Sequence, residues 1–585
     1  MHTRRGTLTT TVHTQEIALM GDESALGQPR RGLPQIAAYA YVSNRGGTVA
    51  VIETGTGSAF PFIAVGDEPV GIAATPDGRR VYVTNAGADS VTVLDVSTRS
   101  VLATIPVDRA PRGIAITPNG DRVYVANTES DTLVLIDAAT NTIISSSIFA
   151  GPTPWALAIT PDGRKAYVTN ALANRVSVLN LDNHTIDAII RTGAQPSKVA
   201  ISPDGRHAYV TNASSSTVTP IDISTDTPGP SIRVGAQPDG VAVTPDGRAV
   251  YVASADAKTV SVIDVRTHTV AETVPVHTKP IGVGITPDSQ FAYVANAESN
   301  TVLQIDLATR KPVERQPLSV GTEPSAVGIG PQIIVAGGPS SAPLTIGSDE
   351  DLNALGFGRF LPFNGGALRL SAPWSTTRHV SLLIEGGWID TNGFDAAIYG
   401  DVLNDGSLTK TGAGTLALYG RNLHRRDTVV LEGTLIVDDV HDAPIYVDGG
   451  TLRGGGQLGP IWAIAGTINP GAKRPATLSA TQVTMGPDVT FLTELRGPVA
   501  GIDYSQLAVS DAATLKDATL AVRVREPLPV GLSFTIITHV RGTFASLPEG
   551  AELIADGHRL RITYTAGPHN SDVALTVIAS APAER

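Results

Sequence analysis

The sequence predicts an all-β protein, a seven-bladed β-propeller followed by a β-solenoid or β-helix-like region. Three observations predict it. A Tyr-Val-x-Asn tetrad recurs at Tyr41, Tyr82, Tyr124, Tyr167, Tyr209, Tyr251 and Tyr293, in steps of 41 to 43 residues, with Ser254 alone replacing the Asn. A turn of the Thr-Pro-Asp-Gly type precedes most copies, and each copy reads as four short strands. Beyond residue 337 that period stops, yet short runs of Leu, Ile and Val continue between Gly-rich corners.

Residues 1–35 are polar and Thr-rich and read as a disordered N-terminal segment. The apolar run at 17–20 is too short for a signal-peptide core, and Arg4-Arg5 lacks the hydrophobic stretch of a twin-Arg signal. No 18-residue apolar run occurs, so no membrane-spanning helix is expected. Residues 36–336 form the propeller. Its turns, at 75–78, 117–120, 160–163, 202–205, 244–247 and 286–289, work because Pro presets φ, Asp or Asn bonds its own backbone, and Gly takes positive φ. A four-stranded unit apolar on both faces is covered only by its neighbours in a ring. The first tetrad lacks a preceding inner strand, so residues 326–329 are expected to supply it and close the circle.

At Tyr82-Val83-Thr84-Asn85 and its copies the chain resembles the YVTN-type repeat family of bacterial and archaeal surface or periplasmic proteins. The resemblance implies a seven-bladed propeller and an extracellular, cell-surface or periplasmic location. It implies no single activity, since related propellers include lactonase-like and lyase-like enzymes beside non-catalytic surface proteins.

Residues 337–355, opening on Gly-Gly-Pro-Ser-Ser-Ala-Pro, read as a linker. Residues 356–480 read as a solenoid and 481–585 as a β-rich cap. The stretch 406–439 resembles the strand repeat of autotransporter passenger domains, whose Gly-rich corners let short strands stack as rungs. It departs from that family at 422–428, Asn-Leu-His-Arg-Arg-Asp-Thr in place of Asn-Thr-Tyr-Thr-Gly-Gly-Thr. No outer-membrane barrel of eight or more alternating strands is legible, so secretion through a barrel of its own is not expected.

Composition narrows the function. The 585 residues carry 43 basic and 55 acidic side chains, net −12, without a Lys/Arg run, so a nucleic-acid partner is not expected. The absence of Cys removes disulfides, thiolate metal sites and thiol nucleophiles. Gly-x-Ser-x-Gly, His-Glu-x-x-His, Walker and dinucleotide patterns are missing, and no cofactor is expected. The densest cluster, Asp438, Asp439, His441 and Asp442, reads as a solvated turn and not a metal site, because ligands adjacent along a corner seldom converge.

Positions that differ from blade to blade are free to serve a ligand. After the Pro that opens each inner strand stand Val70, Arg112, Trp155, Ser197, Asp239, Ile281 and Ser325, predicted to ring one mouth of the channel. The next position holds Gly or Ala in six blades and Lys198 in the seventh. Structurally, Lys198 reads as a packed stem pairing with Asp239, and Trp155 as a wedge between blades. Functionally, Arg112, Lys198 and Asp239 form a polar ring for an anionic or hydroxylated ligand, with Trp155 as a stacking surface. Asp95, Asp137, Asp222, Asp264 and Asp306 read as turn caps.

No catalytic set is legible. The chain reads first as a monomeric, non-catalytic extracytoplasmic or cell-surface protein, a propeller head on a solenoid stalk that binds a protein or glycan at the propeller face. The alternative is a propeller enzyme of lactonase, hydrolase or lyase type acting on a small ester or lactone at the pore mouth.

Overall fold

The computed structural model describes residues 36–313, 317–331, 333–335, 343–471, 474–567 and 571–579. The segment 1–35, expected to be disordered, lies outside them. Apart from one six-residue helix, Asp349–Ala354, and two 3-10 turns, the regular structure of the described residues is strand.

Seven antiparallel sheets follow the repeat. In the second, Pro69–Ala74, Arg80–Asn85, Ser90–Asp95 and Ser100–Pro106 pair in that order. The tetrad recurs because its Val is buried in all seven blades and its polar members make bonds the blade needs. The Tyr ring is buried between sheets and its hydroxyl reaches the next blade: Tyr82 donates to Asn141 at 2.8 Å, and Tyr293 to the Thr54 carbonyl at 2.8 Å. Where the third residue is Thr, it ties two blades together. Thr211 Oγ1 accepts from the Lys198 amide at 3.0 Å and donates to the Asp239 carbonyl of the next blade at 2.8 Å. Thr84 and Thr169 repeat the pattern. The Asn amide bonds nearby hydroxyls, as Asn85 does with Ser90 and Thr92. Thr211→Val, which removes the bond to its own inner strand and the bond to the next blade, should therefore cost about 2 kcal/mol. A lower urea midpoint at unchanged slope checks this.

Turn chemistry holds as the residues suggest. Gly78, Gly120, Gly163, Gly205 and Gly247 have φ of 69° to 80°, and Ser289 takes φ 55° in the copy without Gly. The five Asp residues at third-strand ends accept amides of the turn that follows. The strand Pro324–Ile329 pairs with Tyr39–Asn44 and closes the ring. Residues Ile333–Val335 then pair antiparallel with Ile36–Ala37 and parallel with Phe360–Asn364, which hands the chain over to its second half.

From residue 344 the pairing is parallel. Trp374–Thr376, Ala396–Ile398, Thr415–Leu418 and Thr434–Val437 pair in succession, each in register with the next. Inward residues stack as ladders: Leu416, Leu435, Leu452, Ile468 and Phe491 form one, and Leu368, Ile389, Lys410, Val430 and Val447 another. Lys410 is fully buried in its ladder and donates to the carbonyls of Thr411, Gly412 and Glu432 at 2.8, 2.6 and 2.9 Å. Outward, Tyr399 stacks on Tyr419 and Tyr446 on Trp462, with ring centres 5.1 and 5.0 Å apart. Each ring covers one face of its partner, which helps hold neighbouring rungs together.

Two boundaries differ from the sequence expectation. The linker at 337–355 contains a strand, Leu344–Ile346, paired parallel with Ala367–Leu370, and a helix started by a capping box between Ser348 and Asp351. No break falls at 480. The strand Thr477–Leu495 runs through that point: after a two-residue break in the alternation at 481–482 the inward pattern resumes with Val483 and Met485, and the parallel pairing continues on both sides. Antiparallel pairing begins only where Ser533–Ile537 meets Asp572–Ala579.

The two halves touch at the 75–78 turn, the end of the inner strand remote from Pro69. Arg79 pairs with Asp405, Ser381 donates to the Asp77 carbonyl at 2.8 Å, and Leu383 shares a core cluster with Tyr41, Val81 and Ile333. The opposite mouth of the channel, where each inner strand begins, faces away from this junction.

Candidate functional site at the propeller mouth

Each inner strand opens on a Pro, and in all seven blades the residue before it is left-handed. Glu68, Ala110, Thr153, Gln195, Gln237, Lys279 and Glu323 have φ of 47° to 55°. Their carbonyls hold the amide that follows the tetrad, as Gln195 holds Ala213 at 2.9 Å and Glu323 holds Arg45 at 3.1 Å. The kink turns the chain from the rim into the channel wall.

Two cavities lie along the axis. The outer, about 240 Å³, is lined by Trp155 and Asp239. The inner, about 150 Å³, is lined by Arg112 and Lys198 among small and aliphatic residues, and Ile281 borders both. The four singled-out side chains are thus gathered at one channel. The rest of the expected ring is less open. Val70, Ser197 and Ser325 are buried, Ser325 donating to the Pro69 carbonyl at 2.7 Å and Ser197 meeting Thr211 Oγ1 at 2.9 Å.

Trp155 is not a wedge between blades. It lines the outer cavity with the Arg112 guanidinium 4.3 Å from its ring centre, a cation–π contact that orients both groups. Nor do Lys198 and Asp239 form a close ion pair, since no N–O contact within 4.0 Å joins them. Burial draws the Lys198 ammonium below its ordinary range; Asp239 opposes this, while Arg112 and Arg45 add to it. Burial pushes the Asp239 carboxyl up, opposed by Lys198, a Ser197 hydrogen bond, Arg45 and Arg112. The two groups are displaced towards one another, the arrangement by which a site holds an acid and a base that trade protons.

Arg45 was not found by reading along the inner strands. It follows the first tetrad, where the other six blades carry Ala86, Thr128, Ala171, Ala213, Ala255 and Ala297, and it lines the outer cavity. Comparing the copies at that position reveals it. Elsewhere, the cluster at 438–442 is not one solvated turn: Asp438, Asp439 and Asp442 are exposed, but His441 is fully buried. Among the described residues, no group of three or more His, Asp or Glu side chains converges as a metal site.

A family model described as "Lactonase, 7-bladed beta-propeller" matches residues 34–147 and 140–230. The first half is a seven-bladed β-propeller. The curated "Extracellular serine protease" of Serratia marcescens is 45% identical over 73 residues, 12% of this chain and 7% of that protein. A second such match is 39% identical over 67 residues, so the chain spans only 7% and 6% of these relatives. Among solved structures, hydrazine synthase of Kuenenia stuttgartiensis is 24% identical, covering 44% of this chain and 89% of that one, with a TM-score of 0.41. A Bacteroides uniformis protein provisionally described as a 6-phosphogluconolactonase is 19% identical, covering 51% and 100%, with a TM-score of 0.45. At these scores neither structure speaks for an activity.

Proposed function

We propose that the propeller mouth is the active site of a hydrolase-like enzyme that opens a small ester or lactone. The observation that carries this is the pairing of Lys198 and Asp239, displaced in opposite directions within one half-buried channel and flanked by Arg45 and Arg112. The match of the lactonase propeller model to 34–230 supports it. Asp239, ionised, takes a proton from water as that water attacks the carbonyl carbon. Lys198 and Arg112 stabilise the oxyanion that forms. The acyl C–O bond then breaks, and the proton held by Asp239 passes to the leaving alkoxide, which yields a hydroxy acid. Arg45 at the rim holds the product carboxylate or an anionic group of the substrate. Arg45→Ala should raise KM about tenfold with little change in kcat.

The test is turnover of a panel of small lactones and esters by the full-length protein, followed by pH-stat titration of released acid. Turnover lost in Asp239→Asn supports the assignment. No turnover by the wild type, with small hydroxy acids still bound at the mouth, overturns it and returns the non-catalytic reading. One observation favours that second reading: the mouth faces away from the junction, as suits a displayed head. In either case we read residues 344–541 as a β-solenoid stalk of autotransporter-passenger type, and the whole as extracytoplasmic.

A further inference from the structure

The sequence sets His441 among carboxylates, and the fold separates it from them. Its side chain enters the interior of the parallel coil and is 0% exposed. There it meets His424 of the preceding rung, 2% exposed, with ring centroids 5.0 Å apart and planes at 78°. Asn422 lies in register beside His441, and Thr428 Oγ1 is 2.8 Å from His424 Nε2; both residues are fully buried. The remaining polar atoms have no protein partner. Neither ring nitrogen of His441, nor Nδ1 of His424, nor Oδ1 of Asn422 makes a hydrogen bond. Each such atom left unmatched in a dry interior costs about 1–3 kcal/mol. Either nitrogen of His441, Nδ1 of His424 and Oδ1 of Asn422 can each offer a lone pair, one per ring, and they are drawn from residues that share one short stretch of two rungs.

We propose that this buried cluster binds a divalent first-row transition ion of the zinc class, through one imidazole nitrogen of His424, one of His441 and the Asn422 side-chain oxygen. Two imidazoles on one tetrahedral ion, with metal–nitrogen bonds of about 2.0 Å, have ring centres about 5 Å apart. The pair already has that spacing. The Thr428 contact at Nε2 fixes the His424 ring and leaves Nδ1 as its ligating atom, the outer-shell role that metal-bound imidazoles commonly show. Two imidazoles and one amide oxygen, without a carboxylate, suit zinc, cobalt or nickel better than calcium or magnesium. Because the surrounding side chains are closed off from solvent, the ion enters as the rungs coil, and it pins one rung to the next.

The experiment uses the full-length protein without an affinity tag, unfolded and refolded with zinc, with cobalt or with chelator, then gel-filtered. Expected are retention of a stoichiometric ion, a tetrahedral cobalt absorption band, and a melting temperature raised by roughly 5–10 °C when the free ion is a hundredfold above Kd. His424→Gln and His441→Gln should each lose the ion and the band. Wild-type protein that retains neither ion and melts at one temperature in all three conditions overturns the proposal, whether or not the variants fold. Equal retention by wild type and both variants overturns it too.

Discussion

Lys198→Met is expected to abolish turnover and, at the same time, to make the propeller harder to unfold. The two effects have one cause. Lys198 is the only residue larger than Ala at its position among the seven inner strands, and it lines the narrow inner cavity without a close counter-ion. Burial draws its pKa down, so the folded protein holds this proton less tightly than the unfolded chain does. Between the depressed value and the ordinary one the unfolded chain binds more protons, and stability rises with pH. Below that window the full penalty of burying the charge is carried. Met keeps the stem and removes the charge, so the melting temperature should rise. Transition-state charge stabilisation is lost with it, and kcat/KM should fall by about a hundredfold or more.

The pH profile sharpens the same experiment. Wild-type kcat/KM should climb as Asp239 ionises, above the usual carboxylate range, and decline as Lys198 loses its proton, below the usual lysine range. Lys198 is the largest influence holding the Asp239 carboxyl down against burial. In Lys198→Met the acid limb of the residual activity therefore moves to higher pH, and the alkaline limb disappears. A Lys198 that served only as a packed stem would still let the acid limb move through its charge on Asp239, but would leave turnover and the alkaline limb where they were.

The propeller was legible because the Tyr, Thr and Asn of the tetrad do similar bonding jobs in several blades while its Val is buried in all seven, and similar demands leave identical letters. Thr84, Thr169 and Thr211 are the plainest case, each bonding its own inner strand and the next. Lys198 stood out for the converse reason, as a departure from a repeated Gly/Ala wall, and Asp239 because its position varies from blade to blade. Arg45 escaped because it sits on the rim, beyond the strand along which the copies were compared. His441 was misjudged because residues adjacent at a corner point alternately in and out, which linear clustering hides. The linker was misjudged because Ser348 and Asp351 start a helix by local capping that a Gly-Pro-Ser-rich context masks.

In the second half the largest effect should come from Gly414→Ala. Every rung turns at a corner where the backbone crosses over the rung before it, and the crossing leaves no room for a side chain. A Cβ on Gly414 would stand 1.8 Å from the Phe394 carbonyl oxygen; on Gly400 and Gly420 the corresponding clashes are 2.0 and 2.2 Å. The obstructing atoms are backbone on both sides, so no rotamer change relieves the contact, and the loss should exceed about 4 kcal/mol. Gly358→Ala is the matching control, since nothing lies within 4 Å of its Cβ; its effect should stay within about 0.5 kcal/mol. Three of the four Trp residues, Trp374, Trp388 and Trp462, lie in this half and Trp155 alone reports the propeller. Fluorescence-detected urea unfolding therefore follows the second half almost by itself. A midpoint that falls sharply while far-UV ellipticity keeps a later transition means the ring stands without the coil. A single transition moved down in both signals means that the contacts of Arg79, Ser381 and Leu383 weld the halves into one cooperative unit.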